Sequence, residues 1–421
     1  MTALGTFAVV ETWLSPVGRT PLVAARELGF DTLFLTRDLG VYTRTPESRT
    51  AWQECAGRVV ICDTQDPAAV VAALAQEADL RGVFTTNDYN VPVVAEAARA
   101  LHLPGLDPQA ARRACDKQLT RQTCHQAGVP TPGWHWARTA EGATVAARTL
   151  GLPCVVKPLT DAASIGVRLC RTTAEVVEQF HTITASPEDF RGGLRKPGVL
   201  VEEYLIGPEV SVEIVATEAG EHVVLGVTDK ALGPHPHFVE LGETFPSVLP
   251  GSVQEEARTA ALAALRALGH DFGAAHVEIK LTPRGPRLVE VNARMPGAWI
   301  TRLIREAVGV DLQRELVRLY TGERPDLKVR ELGGAASRYL TSPDTGQLAG
   351  VHGLDLAAHV PGTVEVEVHA EAGDQVRRAR DNVDVIGSVV ATGRTGGEAA
   401  RRADTALGQL GVTVTEEREQ L

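Results

Sequence analysis

The chain has 421 residues, of which 44% are hydrophobic and 23% charged. This composition is typical of a globular protein, and the length predicts roughly two to four domains. A formal net charge of -11 provides no basic surplus, so we expect neither nucleic acid nor an anionic membrane as a partner. Because no apolar run approaches the length of a bilayer span and the first residues lack the charged start of a signal peptide, the sequence predicts a cytoplasmic protein.

The six cysteines are scattered along the chain without a C-x-x-C pair. This spacing favours reduced, mostly buried thiols over a zinc site or a disulfide framework. Lysine is rare, since only six of the 42 basic residues are lysines. Each lysine is therefore a candidate for a position that needs a compact ammonium group.

The first part of the chain alternates strand and helix patterns. Strand patterns cover residues 6–10, 31–35, 58–62 and 82–86, helix patterns cover 20–28 and 67–78, and a loop covers 15–18. Repeated strand–helix–strand units predict an open parallel sheet. The fingerprint G-x-G-x-x-G is absent from the first turn, so no nicotinamide cofactor is expected. Asn87 follows the last of these strands, and we interpret it as a helix cap rather than a ligand contact.

A helix pattern over residues 110–128 holds Asp116, Lys117 and Arg121 and ends in A-G-V-P-T-P. Taken alone, Lys117 fits a solvated helix position better than a binding site.

A strand over residues 151–157 ends in Lys157, with Pro158 directly after it. An ammonium group there suits phosphate oxygens, and the following turn can supply backbone N–H donors, for which Ser164 and Gly166 are the candidates. The turn has a single glycine, which predicts a stiff loop.

The middle of the chain predicts a helix with a mobile connector over residues 173–198 and then strands over 199–215 and 223–230. Glu213 is interpreted as a solvated strand position. Lys230 ends the second strand, where a salt-bridged edge residue is the alternative to a binding role.

Residues 273–297 are the most informative stretch. Segments 275–281 and 287–292 alternate apolar and polar residues around T-P-R-G-P, which predicts a β-hairpin. Because alternate side chains share a face, Glu278, Glu290 and Asn292 can meet over one site. Two carboxylates and a carboxamide suit Mg²⁺, and the alternative is a solvated hairpin face.

The rest of the chain predicts helices that cover this hairpin and then a small α+β domain. Helix patterns cover residues 254–268, 299–308 and 312–321. After residue 325 come short strand patterns at 336–340, 364–369 and 389–393 and a helix pattern at 397–410.

Four motifs give the chain a resemblance to the ATP-grasp superfamily. They are D-K followed by R and A-G-V-P-T-P (116–132), V-E-E-Y-L-x-G-x-E (201–209), F-V-E-x-G-x-x-x-P (238–246), and H-x-E-x-K with L-x-E-x-N-x-R (276–294). The third motif is similar to the substrate loop of the L-amino acid ligase branch. The resemblance implies an α/β protein with an N-terminal open parallel βαβ domain (1–112), a two-lobed ATP-grasp domain (113–198 and 199–325) and a C-terminal α+β lid domain (326–421).

By the same resemblance, Lys117 and Lys157 would contact the phosphates of ATP, and Glu209 would bind the sugar hydroxyls. The adenine pocket would be lined by four consecutive residues, Glu202, Glu203, Tyr204 and Leu205. Two Mg²⁺ ions, or Mn²⁺ in their place, would bind Glu278, Glu290 and Asn292.

The implied reaction joins a carboxylate to an amine through an acyl phosphate and releases ADP and phosphate. Lys230 would lie near the transferred phosphoryl group, while Arg294 would orient the carboxylate and stabilise the oxyanion. Glu240 or Glu243 would either bind the ammonium group of a substrate or help to deprotonate the attacking amine, and the sequence leaves both roles open. Relatives commonly have histidine at the latter position, and an anion there favours an amine-bearing or cationic substrate.

Three alternatives stay open from the sequence. They are a bicarbonate-using ATP-grasp carboxylase, a non-catalytic ATP-binding regulatory protein, and a sensor that binds a sugar or an amino acid without nucleotide. The expected partners are small molecules, an amino acid-like carboxylate and an amine, and the resemblance also suggests a homodimer.

Overall fold

The computed structural model describes residues 3–14, 16–44, 46–217 and 220–415. Ser15, the first residue of the predicted loop over residues 15–18, lies outside these ranges. Residues 1–2 of the predicted N-terminal domain and residues 416–421 of the predicted C-terminal domain also lie outside them. No helix in the described ranges is long and apolar enough to cross a membrane.

The N-terminal part folds around a parallel sheet. Its elements are β1 (Thr6–Val10), α1 (Thr20–Glu27), β2 (Asp31–Thr36), α2 (Pro46–Ala56), β3 (Arg58–Ile61), α3 (Pro67–Leu74), β4 (Leu80–Phe84) and α4 (Val91–Ala100), with short 3-10 helices at Pro16–Arg19, Leu39–Tyr42 and Asp88–Asn90. The strand order is β3-β2-β1-β4, so the predicted open parallel sheet is confirmed. The side chain of Asn87 accepts a hydrogen bond from the backbone N–H of Tyr89 and thus acts as the expected cap.

The helix predicted over residues 110–128 is two helices, α5 (Pro108–Cys115) and α6 (Lys117–Gln126). Asp116 interrupts it with an extended backbone, and its carboxylate accepts N–H groups of Gln118 and Leu119 as an N-cap. Lys117 is therefore the first residue of α6, and its own N–H donates to the carbonyl of Leu159 at 3.0 Å. The single continuous helix was a wrong prediction, because this capping carboxylate starts a new helix.

A second, antiparallel sheet follows. Its elements are β5 (Trp134–Ala137), α7 (Ala140–Leu150), β6 (Cys154–Lys157), β7 (Arg168–Cys170), α8 (Thr173–Thr184) and β8 (Val199–Glu203), with strand order β5-β8-β6-β7. The connector between α8 and β8 contacts the first sheet, since Arg191 Nη2 lies 2.8 Å from Glu11 Oε2.

The largest sheet has eight strands. The elements that complete the chain are β9 (Glu209–Ala216), β10 (His222–Leu232), β11 (Glu240–Phe245), α9 (Gly251–Leu268), β12 (Gly273–Thr282), β13 (Gly285–Asn292), α10 (Ile300–Val308), α11 (Leu312–Tyr320), β14 (Gly334–Thr341), β15 (Gly346–His352), α12 (Leu354–His359), β16 (Thr363–Val368), β17 (Gln375–Val376), a 3-10 helix at Asn382–Asp384, β18 (Val385–Gly393), α13 (Gly396–Leu407) and β19 (Gly411–Thr415).

This sheet runs β13-β12-β9-β10-β11-β14-β18-β16, with antiparallel neighbours throughout. Three of its strands come from the segment after residue 325, so the expected C-terminal α+β domain continues the sheet that carries the hairpin. A small sheet, β17-β15-β19, lies beside it. The sequence did not predict β15, α12, β17 or β19.

The two faces of the large sheet differ in character. On β12, Val277 and Ile279 join the apolar cluster beneath α9, which includes Leu265. The alternate residues His276 and Glu278 belong to the opposite face and line a cavity.

Candidate active site

A cavity of about 650 Å³ lies where the parts of the chain meet. Its wall takes Trp13 from the loop after β1, Lys157 from β6, Glu278 from β12 and Tyr339 from β14. The first sheet, the second sheet and both halves of the eight-stranded sheet therefore contribute to one site.

The hairpin forms in the predicted register. Glu278 pairs with Glu290 across β12 and β13, His276 pairs with Asn292, and all four line the cavity. Carboxylate and amide oxygens fit a hard cation such as Mg²⁺. Within the described ranges, no three His, Cys, Asp or Glu side chains form a ready metal cage, so a cation there would also need the Asn292 amide and oxygens of a bound molecule.

Two lysines of the cavity wall each lie close to a carboxylate. Lys117 Nζ donates to the carbonyl of Asp161 at 2.6 Å and lies 2.9 Å from Glu290 Oε1. Burial alone would lower the pKa of Lys117, but the carboxylate of Glu290 outweighs burial and the pKa is raised. Lys157 Nζ lies 2.6 Å from Glu202 Oε2, and burial lowers its pKa despite that partner.

Glu202, which the resemblance places at the adenine pocket, lines the cavity and contacts two cations. Its carboxylate bridges Lys157 and the fully buried Arg121, whose Nε lies 2.6 Å away. Burial raises its pKa, but these two cations outweigh burial and hold the pKa low. Arg121 belongs to the D-K…R motif, yet sequence reasoning gave it no role.

The other residues expected around adenine line the same cavity. Glu203 accepts hydrogen bonds from Arg284 and from the backbone N–H of Gly133. Tyr204 Oη lies 2.7 Å from His235 Nε2, and Leu205 is buried.

The loop after Lys157 has an unusual backbone. Ala163 and Ser164 adopt φ values of 55° and 58°, and Gly166 adopts 69°. Ser164 lines the cavity, whereas Gly166 does not and packs instead against Pro158, where an added Cβ would lie 3.3 Å from Cδ. Of the two candidates for phosphate contacts, Ser164 therefore lies in the cavity wall and Gly166 lies outside it.

Asp161 ties this loop to its surroundings, a role that the sequence did not reveal. Its carboxylate accepts hydrogen bonds from Tyr89 Oη at 3.0 Å and from Arg195 Nε at 2.9 Å. The backbone N–H of Asn382, from the C-terminal segment, donates to the carbonyl of Ala163 at 3.1 Å. The loop is therefore held by the first sheet, by the connector and by the C-terminal segment.

Lys230 lies among acidic side chains. Its Nζ is 2.5 Å from Glu278 Oε1, 2.7 Å from Glu240 Oε1 and 3.5 Å from Glu209 Oε1. Burial would lower the pKa of Lys230, but the carboxylates outweigh it and raise the pKa well above the ordinary value. Glu209, expected to bind sugar hydroxyls, also pairs with Lys280 at 3.2 Å.

A buried Glu213–His276 pair joins β9 to strand β12 of the hairpin, where the sequence predicted a solvated Glu213. Glu213 is 1% exposed and its Oε2 lies 2.9 Å from His276 Nδ1, so that prediction was wrong. Burial would lower the pKa of His276, but Glu213 outweighs it and raises the pKa to about 10. His276 Nε2 lies 3.3 Å from Glu278 Oε1 and helps to orient it. Glu213 and His276 are register partners on β9 and β12, a contact that only strand pairing reveals.

Arg294 lies in the cavity wall and is held from behind. Its Nη2 is 2.7 Å from Asp88 Oδ2, its Nη1 donates to the carbonyl of Met295 at 2.9 Å, and its guanidinium lies 6.0 Å from the centre of the Trp13 ring. Asp88 belongs to the T-T-N-D-Y segment of the first part, which therefore reaches the site.

Glu243 does not occupy the position expected for it. Its side chain is fully buried and absent from the cavity wall, and it accepts hydrogen bonds from Ser337 Oγ and Tyr339 Oη. Tyr339, from a strand that the sequence did not connect to the site, lines the cavity in its place. Direct contact between Glu243 and an amine does not fit this arrangement, because β14 pairs with β11 and brings Tyr339 to the cavity side.

Comparison with known proteins defines the class to which this fold and site belong. Residues 150–302 match the family model of the ATP-grasp domain, residues 22–105 that of the ATP-grasp N-terminal domain, and residues 338–415 that of the L-amino acid ligase C-terminal domain 2. The solved L-amino acid ligase from Bacillus licheniformis has the same fold, with a TM-score of 0.80 at 20% identity over 99% of this chain and 100% of that one.

Two sequence relatives differ in how much of them the chain covers. An uncharacterised protein of Sinorhizobium fredii is 33% identical over 89% of this chain and 76% of its own length. The alanine–anticapsin ligase of Bacillus subtilis is 28% identical over 59% of this chain, and the match spans 56% of that ligase.

The chain belongs to the ATP-grasp superfamily and, within it, to the L-amino acid ligase branch, a family of ADP-forming carbon–nitrogen ligases.

Proposed function

We propose that this protein is an ATP-dependent ligase that joins an amino acid-like carboxylate to an amine through an acyl phosphate. The observation that carries the proposal is the meeting of three cations, Lys117, Lys157 and Arg294, with the paired carboxylates Glu278 and Glu290 in one cavity. Carboxylate and triphosphate repel each other, so a site that joins them needs concentrated positive charge.

In this scheme the nucleotide occupies the side of the cavity built by the second sheet. Lys117 and Lys157 hold phosphate oxygens, with Ser164 beside them, and residues 202–205 line the adenine pocket. Glu209 holds the sugar hydroxyls. The support for these roles is position in the cavity wall and agreement with the family motifs.

Mg²⁺ would be held by Glu278, Glu290 and Asn292, and when bound it would neutralise phosphate charge during transfer. Two such ions, with Mn²⁺ as the alternative to Mg²⁺, belong to the proposal.

The substrates occupy the side next to Arg294. Its guanidinium is permanently charged and, because Asp88 and Met295 fix it, can bind the carboxylate in one orientation and later donate to the tetrahedral oxyanion. Lys230 lies between Glu240 and Glu278, where it can stabilise charge on the transferred phosphoryl group. Glu240 lines the cavity and is the acidic group available to an incoming ammonium.

The two nucleotide-binding alternatives are less well supported. A bicarbonate-using carboxylase shares the nucleotide side of the site, but the match of residues 338–415 to an L-amino acid ligase domain favours the ligase. A non-catalytic regulatory protein would have no need for the intact Glu278–Glu290 pair and Arg294. The cytoplasmic location, the homodimer and the domain boundaries stay predictions from the sequence.

The proposal is tested by measuring phosphate release from ATP and Mg²⁺ with pairwise mixtures of amino acids and small amines, with mass detection of products. Release that requires two partners and yields their summed mass less water is the expected result. Release with bicarbonate alone would identify a carboxylase instead, and bound ATP with no release from any mixture would contradict the ligase.

A further inference from the structure

Tyr339 lines the cavity from β14, the strand that pairs with β11. It is 8% exposed, and its hydroxyl donates to Glu243 Oε2 at 2.5 Å. Ser337 Oγ donates to the same oxygen. A cavity-lining phenol thus has a buried carboxylate directly behind it.

Among the described residues, no cation contacts the Glu243 carboxylate that lies behind this phenol. An ion pair therefore does not explain why an acidic side chain occupies this buried position. Glu243 is 0% exposed, and its other oxygen, Oε1, has no hydrogen-bond partner among the described residues. A buried acid without a cation in contact destabilises a fold, and a neutral side chain of similar size would avoid that cost. Such a group is typical of a site that handles protons.

The position of Tyr339 matches the place where an amine would arrive. Arg338 pairs with Gly242, so Tyr339 lies beside the segment of β11 that begins at Glu240. On the other side, Ser388 is its register partner on β18 and accepts a hydrogen bond from Trp299 Nε1 at 2.8 Å. Tyr339, Glu240, Ser388 and Trp299 all line the cavity.

We propose that Tyr339, backed by Glu243, receives the proton that the attacking amine must lose. This inference rests on the ligase function proposed above. The amine nitrogen forms the C–N bond to the acyl carbon while its N–H proton passes to Tyr339 Oη, and the Tyr339 proton passes to Glu243 Oε2. The C–O bond to the phosphoryl group then breaks, and phosphate leaves with that electron pair. Glu243 returns its proton through Tyr339 to the departing phosphate or to solvent.

Both residues are needed for this transfer. Burial and the adjacent Glu243 raise the pKa of Tyr339 well above its ordinary value, so a free phenolate is not the base. A phenol can accept a proton only if its own proton moves on at the same time, and Glu243 is the group that accepts it. Glu243 is therefore a positioning and relay residue that acts through Tyr339.

The test compares Tyr339→Phe, Glu243→Gln and the double variant. In ligation of an alkyl amine at neutral pH, each single variant should lose roughly 100- to 10,000-fold in kcat, the usual range for general base catalysis. The KM for ATP should stay unchanged, and the double variant should be no slower than the singles, because the two residues act as one unit. Tyr320→Phe, a buried tyrosine outside this cavity, is the matched control and should keep full activity.

The nucleophile gives a readout that a purely structural role would not move. Hydroxylamine is a weaker base than an alkyl amine, so the N–H proton that it loses as the C–N bond forms is more acidic and can pass to water. Hydroxamate formation by Tyr339→Phe should therefore fall much less than amide formation. Equal loss with both nucleophiles, or full amide formation by either single variant, would overturn the relay. ATP binding by each variant shows that it is folded, and if one variant fails to fold the other still decides the question.

The outcomes separate this inference from the ligase proposal. If the unaltered protein forms no amide with any pair, both fail. If it forms amide and Tyr339→Phe is equally fast, only the relay fails.

Discussion

At the scale of single residues, the carboxylates of the site lie close to positively charged side chains. Glu202, Glu213, Glu278 and Glu290 each have a cation within 3 Å of a carboxylate oxygen. The buried carboxylate of Glu243, by contrast, accepts hydrogen bonds in the described part of the chain only from the hydroxyl groups of Ser337 and Tyr339. This difference makes Glu243 the residue whose ionisation should be most visible in solution.

We expect Glu243 to make folding stability depend on pH. Burial, and then the neighbouring Glu240, raise the pKa of Glu243 to about 7. Because the folded protein then binds this proton more tightly than the unfolded chain, the contribution of Glu243 to the free energy of unfolding is complete below the ordinary carboxyl pKa and is lost as the pH rises through about 7.

The Glu243→Gln variant lacks this titration and is the natural comparison. The free energy of unfolding of the variant, minus that of the unaltered protein, should rise by on the order of 2 kcal/mol between about pH 5 and about pH 8. The difference in Tm between the two proteins follows this change. The ionisable groups that face Glu243 are Lys230 on β10, Glu240 on β11 and Tyr339 on β14, while α10 covers the same side with apolar residues. A constant difference between the two proteins across this range would show that Glu243 does not titrate there.

Arg294 should be needed for ligation but not for nucleotide binding. Arg294→Ala removes the fixed guanidinium from the wall beside the acyl group and should reduce kcat for amide formation by roughly 100-fold or more, the scale of one lost oxyanion donor. ATP affinity, measured by titration, should change little. Arg287→Ala, on the same hairpin and outside the cavity wall, is the control, and near-normal turnover by Arg294→Ala would refute the role.

The sequence predicts those features of the site that follow from alternation along a single strand. It does not predict contacts that depend on which strands pair. Period-two alternation predicted that Glu278, Glu290 and Asn292 would share a face, and the register confirms it. Glu213 was misjudged because its burial depends on β12 pairing beside it. Glu243 was misplaced because Tyr339 comes from a strand that lies 96 residues further along the chain.

At the scale of elements, the loop after β6 stores conformational strain close to the expected phosphates. Ala163 and Ser164 adopt left-handed φ values that disfavour L-residues with side chains. The stiffness predicted from its single glycine agrees with this backbone and with the hydrogen bonds of Asp161. The loop is therefore set by its contacts as well as by its own sequence.

Two substitutions in this loop should differ in their effect on folding stability. Gly166→Ala places a Cβ 3.3 Å from Pro158 Cδ at a φ of 69°, so it should destabilise the protein by about 1–2 kcal/mol and raise the KM for ATP. Ala163→Gly, at a φ of 55°, relieves a similar backbone penalty and should not lower the Tm. Equal Tm values for Gly166→Ala and the unaltered protein would show that the loop adapts freely.

Most strands and helices could be predicted from local patterns, and the exceptions have a physical cause. Strand β1 was predicted to the residue because all five of its residues are buried and apolar or β-branched. The break at Asp116 was missed because the helical pattern continues through this position, whereas the Asp116 carboxylate caps a new helix, whose first N–H also donates to Leu159 in a distant loop. Short elements such as β17 have too few residues to show a period.

At the scale of the whole molecule, the connector after α8 links the second sheet to the first. The carboxylate of Glu11 accepts hydrogen bonds from Thr36, Tyr42 and Thr64, and Arg191 reaches it from the connector. Glu11 itself has a φ of 50° and is 5% exposed. The contact therefore joins distant parts of the chain through one buried ion pair.

Arg191→Ala should loosen this link. Removing the cation leaves a buried carboxylate with neutral donors only, which should destabilise the protein by about 3 kcal/mol. Hydrogen exchange in residues 186–198 should become faster, whereas the exposed Arg148→Ala should change neither property. Unchanged exchange in the connector would mean that the ion pair does not hold it.

The continuous eight-stranded sheet has a consequence for recombination between relatives. A chimera that takes everything after residue 325 from another ligase would bring a foreign β14 against the native β11, and their shared hydrogen bonds would place new side chains on Glu243. Such an exchange replaces the strand that carries the hydrogen-bond donors to Glu243, and with it part of the cavity wall. Crossover points before β11, which keep β11 and β14 from one parent, should give active hybrids more often than crossover points in the linker between α11 and β14.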